Sequence, residues 1–164
     1  QMDSAKEQIR AILIERGIKH LNSPFIFKHY SNNLEADEML NDIVKFPHHF
    51  VLACSMDRQI DAEKAWLIPY MIGKQIGGQS FLDFLEISQT DLKAIFIKEK
   101  LHRYQDKMAK IFYANIHRIK ENYAGDASNI WKGNLKSGTI VRRFLEFNGF
   151  GVKIAIKTYL LHVG

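Results

Sequence analysis

At 164 residues, 46% hydrophobic and 25% charged, the chain can bury a substantial core, which excludes the disordered and fibrous classes. A formal charge of +5 and a pI near 9.3 permit binding to nucleic acid or an acidic membrane surface without requiring either. A single cysteine, Cys54, excludes an internal disulfide and an all-cysteine metal or iron–sulfur cluster within the chain, and no apolar run is long enough to cross a bilayer.

Ala5 to Ile18 carries Ile9, Ile12, Leu13 and Ile14 among charges, with Asp3 or Ser4 as N-cap and Gly17 near its end, and predicts a helix. Met2-Asp-Ser-Ala-Lys is too polar for a secretory signal, and with the lone cysteine this leads to an intracellular compartment. Asn22-Ser-Pro-Phe punctuates the chain, and a second helix starts at Leu34 and runs to Val44, with Pro47 ending or following it. His48-His49 reads as a loop pair, since the seven histidines form no metal-binding array, and Phe50 to Ser55 reads as a short buried helical segment.

Asp61 to Gly73 is helical in pattern, with Pro69 expected to kink it or to open a second piece and Gly77-Gly78 closing the unit. Ser80 to Leu85 and Thr90 to Lys98 read as short helices capped by Ser80 and by Ser88 or Thr90. Tyr104 to Tyr123 places Met108, Ile111, Phe112, Ile116 and Ile119 on one face and is the longest predicted helix. Asp126 to Trp131 makes a capped turn, and Asn134 to Gly138 a polar connector. Alternating polar and apolar runs are scarce, so the expected fold is all-α, a compact multi-helix bundle.

The last segment, Ile140 to Leu161, predicts two amphipathic helices joined by Asn148-Gly149-Phe150-Gly151. Gly149 and Gly151 permit backbone conformations that other residues resist, and a helix starting just after Gly151 offers unpaired N–H groups to an anion. A dinucleotide-binding loop is excluded because no strand precedes the turn and no third glycine follows it at the required spacing. A P-loop is excluded because no Gly-Lys-Ser/Thr ending is present.

Phe147-Asn-Gly-Phe-Gly-Val-Lys-Ile-Ala155 resembles, position by position, the helix-hairpin-helix signature Leu-Pro-Gly-Val-Gly-x-Lys-x-Ala of the endonuclease III-like DNA glycosylase superfamily, with Asn148 and Phe150 as departures. Val51 to Trp66 is similar to that family's early helix-loop-helix, and the similar segments together span roughly Phe50 to Leu161. The resemblance implies an N-terminal helical segment over 1–49 and a glycosylase-like domain over 50–164. It implies a base-excision DNA glycosylase on double-stranded, damaged or abasic DNA, with no membrane partner. Asn148, Gly149, Phe150, Gly151 and Val152 would then grip the DNA backbone and hold a monovalent cation, and Arg58 and Gln59 would stand in the gap of an extruded nucleotide.

Lys153 aligns with the lysine that bifunctional members use as a nucleophile on the sugar, which implies AP lyase activity. Arg142, Arg143 and Lys157 are near it in sequence and could help to lower its pKa. The family's essential aspartate and the cysteine cluster of some members would fall after Gly164. Phe25, Phe27, Tyr30, Trp66 and Trp131 are candidates by type for stacking on an extruded base. The alternatives are a non-catalytic helix-hairpin-helix DNA-binding protein and a structural helical module whose Gly-Phe-Gly is only a turn.

Overall fold

In a computed structural model describing residues 27 to 162, the periodic segments become eight α-helices and one 3₁₀ turn, with no strand among the described residues. The chain is therefore all-α, as its sequence predicts. The helix expected over Ala5 to Ile18 and the aromatic Phe25 lie outside the described residues.

Helix α1 (Leu34–Asn41) is capped by Asn33, whose side chain accepts the Ala36 N–H. It stops short of Val44 because the Asp42 side chain accepts the Lys45 N–H at 3.0 Å, exchanging helix continuation for a local turn. Helix α2 (Pro47–Met56) starts at Pro47, where the missing N–H costs nothing, and every residue in it is buried. His48 and His49 are thus not a loop pair. They sit in the first turn of α2, and each donates from Nε2 to the Gln79 carbonyl, at 2.8 and 3.1 Å. The apolar run beside them called for a helix, and extending it to Pro47 carries both rings inside.

Helix α3 (Ala62–Ile76) runs unbroken through Pro69 and ends at Gly77, whose left-handed backbone (φ 83°) lets the Gly77 and Gly78 N–H groups both reach the Gly73 carbonyl at 3.0 Å. Helices α4 (Phe81–Glu86) and α5 (Gln89–Lys98) begin at Ser80 and Ser88, each accepting an N–H of its own first turn. Helix α6 (Gln105–Tyr123) is the longest described helix, and a 3₁₀ turn (Ala127–Ile130) capped by Asp126 leads to α7 (Ser137–Leu145) and α8 (Val152–His162).

Helix α2 forms the axis of the molecule, with α1, α3, α6, α8 and the 3₁₀ turn packed around it. Phe50, Phe84, Phe96, Phe112 and Phe144 are completely buried in one continuous core, each contributing about 2 to 3 kcal/mol relative to an exposed side chain. Because α1 packs on α2 and α3, Leu40 belongs to that core and Ala36 is buried. Among the described residues, no helix is long and apolar enough to cross a membrane.

Candidate nucleic-acid interface

The turn between α7 and α8 is built from the inside by its two phenylalanines. Phe147 stacks on Tyr123 with ring centroids 5.9 Å apart, and Phe150 stacks on Phe144 at the same distance. With both rings buried, the turn is anchored at each side of Asn148-Gly149. Gly149 lies in the left-handed region (φ 86°), and a Cβ there would stand 2.9 Å from the Ser55 carbonyl oxygen and 3.3 Å from Ile111. The turn therefore rests on the last turn of α2 and on the flank of α6.

Asn115 completes that seat. Fully buried on α6, it donates from Nδ2 to the Asn148 carbonyl and accepts the Asn148 N–H at Oδ1, both at 2.9 Å. The backbone of Asn148 is thus occupied from within, while its side chain stays exposed. Phe150 donates to the Phe147 carbonyl at a long 3.4 Å, and its side chain belongs to the core. The Gly149 and Gly151 N–H groups have no hydrogen bond among the described residues.

Gly151 differs from Gly149. It is exposed, and a Cβ on it would meet nothing within 4 Å. Its carbonyl accepts the Ala155 N–H at 3.0 Å, so Gly151 stands immediately before α8 and the N–H groups that follow it are those a helix leaves unpaired. Val152 opens the helix, and Lys153 is exposed in its first turn. Ala155 is wholly buried.

Arg58 and Gln59 come from the far side of the sequence and arrive beside this helix. They form the exposed tip of the loop after α2, with Gln59 in the left-handed region (φ 56°). Lys157 reaches across to Asp57 at 3.0 Å, fastening that loop to α8 one helical turn beyond Lys153. The Lys157 ammonium also lies 6.0 Å from the centre of the Trp66 ring. The ion pair thus holds the loop that carries Arg58 and Gln59 against α8, the helix whose first turn carries Lys153.

Other residues lie elsewhere. Arg143 donates to the carbonyls of Asn129 and Ile130 at 3.2 and 3.1 Å, holding the 3₁₀ turn. With Arg142, Thr139 and Glu146 it lines an open cleft of about 440 Å³ between α6 and α7. Trp66 is buried against Tyr30 and Phe50, and Trp131 is half-buried against Phe144, whereas Phe27 is exposed beside His29. Burial pushes the Cys54 thiol far up from its ordinary range, which removes it from nucleophilic chemistry. Among the described residues, no group of histidine, cysteine, aspartate and glutamate could hold a metal ion.

Asn115 is the residue that sequence reasoning overlooks. Its signal is a carboxamide set into the apolar stripe of Met108, Phe112, Ile116 and Ile119, where a buried polar side chain needs a partner. Comparison with known proteins returns no match to any family model, curated protein or solved structure.

Proposed function

We propose that the chain is the helical core of a base-excision DNA glycosylase with lyase activity. Duplex DNA lies across Gly149 to Lys153 with a backbone phosphate at the start of α8, and Arg58 and Gln59 fill the gap left by an extruded nucleotide. Lys153 is the nucleophile. Its neutral amine forms a bond to the sugar C1′ as the bond to the damaged base breaks, the base leaving with a proton; the C1′–O4′ bond then opens, O4′ taking the remaining amine proton, and the resulting Schiff base permits loss of a C2′ proton with departure of the 3′ phosphate. A monovalent cation held by carbonyls of the turn belongs to the same proposal.

One juxtaposition carries this reading: the Asp57–Lys157 ion pair ties the Arg58–Gln59 loop to the helix that presents Lys153. Two segments that resemble separate parts of one family's DNA-binding face, almost a hundred residues apart in sequence, are neighbours in space. The open side of Gly151 adds room for a close backbone approach.

The exposure of Lys153 favours a second reading, a DNA-binding protein without chemistry. A lysine nucleophile needs burial or neighbouring positive charge to keep its amine neutral.

Two measurements separate these readings. Binding to an abasic duplex should weaken about tenfold or more between about 50 and 200 mM salt; absence of binding at low salt defeats both. Borohydride should trap the parent chain on abasic DNA and fail to trap Lys153→Ala. Equal trapping of the two would remove Lys153 as nucleophile, and no trapping of either would leave the binding protein.

A further inference from the structure

His102 is buried, with only 2% of its surface exposed, in the short connection between α5 and α6. Both ring nitrogens are engaged. Nδ1 accepts the Tyr104 N–H at 3.0 Å, so the ring proton is on Nε2, which donates to the Met56 carbonyl at 3.1 Å. Burial, together with the charges of Lys64 and Arg58, depresses the ring's proton affinity and keeps this neutral tautomer in place.

The Met56 carbonyl is not an incidental partner. It ends α2 and also accepts the Arg58 N–H at 2.8 Å, the bond that turns the chain into the Arg58–Gln59 tip. Tyr104, the other partner, is the residue immediately before α6. His102 therefore braces the base of the tip against the start of the helix whose Asn115 holds the Asn148 turn. Both candidate DNA-contacting loops are referred to one rigid helix.

Resting on the function proposed above, we infer that His102 is a positioning residue: its two hydrogen bonds hold the Arg58–Gln59 tip in register with the α7–α8 turn, so that both engage one duplex together. His102 touches no DNA itself. Its contribution passes through the Met56 carbonyl to Arg58 and Gln59.

The test is a double-mutant cycle on abasic-duplex affinity, with circular dichroism to verify folding. His102→Ala should weaken binding about tenfold in the parent but less than about twofold when Arg58 and Gln59 are already alanine, because the brace then has nothing to position. Glutamine can replace the Nε2 donor to Met56, and asparagine the Nδ1 acceptor for Tyr104. His102→Gln should therefore recover most of the affinity and His102→Asn little, a comparison that stands even where the alanine variant folds poorly.

Equal losses in both backgrounds, unchanged binding by His102→Ala, or equal recovery by the two amides would overturn the inference while leaving DNA binding intact. Absence of binding by the parent would instead overturn the proposed function, and the brace's role with it.

Discussion

Gly149 and Gly151 stand two residues apart and serve different ends. At Gly149 the backbone is left-handed and a Cβ would press on the Ser55 carbonyl, so Gly149→Ala should cost about 2 kcal/mol or more in urea unfolding. At Gly151 the backbone is unstrained and the space open, so Gly151→Ala should leave stability within about 0.5 kcal/mol of the parent. If a DNA backbone approaches there, the same Gly151→Ala chain should bind an abasic duplex about tenfold more weakly, since a methyl group would stand between the helix N-terminus and the phosphate. A variant equally stable and equally tight in binding would show that nothing lies against Gly151. The sequence presents the two glycines as a matched pair, and only the neighbours of each distinguish a structural requirement from a free face.

Among elements, those with local punctuation were the most legible. Ser80 caps as expected, Ser88 rather than Thr90 caps the next helix, and Asp126 caps the expected turn, because a cap is a hydrogen bond between residues two or three apart and needs no distant partner. Ser88→Ala should accordingly lower stability by about 1 kcal/mol, with unchanged secondary structure by circular dichroism; a change below a few tenths would show that the cap is replaced by water. Helix α2 was less legible because it is buried all round. A helix with no solvent face has no polar stripe, so periodicity could identify Phe50 to Ser55 as buried without finding the start at Pro47. Pro69 misled in the opposite direction: it removes one donor, yet α3 continues through it with Ala65, Ile68 and Ile72 buried on either side.

Across the whole molecule, the buried histidine pair makes stability depend on acid. His48 is held down at about 4 and His49 at about 3, from an ordinary 6.5, chiefly because burial penalises the charged ring. Unfolded chains take up these protons below about pH 6.5 while the folded chain refuses them until far lower, so stability is fully present above that pH and falls as the solution is acidified. Between about pH 7 and 5 the pair should cost on the order of 3 kcal/mol, read as a lower urea midpoint; an unchanged midpoint over that interval would mean the rings are not held neutral. Folding closes the chain in a second way, through the Lys28 ammonium donating to the Leu161 carbonyl at 2.6 Å near the end of α8.

The sequence by itself determined the all-α class, most helix positions and the identity of the candidate turn, because helical periodicity and capping act over distances of three or four residues. It supplied Arg58, Gln59, Gly151 and Lys153 as candidates for one DNA-binding face through the family resemblance, with no contact to join them. The contacts that set the two loops against the helical core were decided by tertiary structure: the seating of Gly149 on Ser55, the pairing of Asn115 with Asn148, the reach of Lys157 to Asp57 and the hydrogen bond of His102 to Met56. Each of these contacts joins residues more than thirty positions apart. Their energy depends on angstrom-scale geometry between packed helices, which no local pattern of residue types encodes.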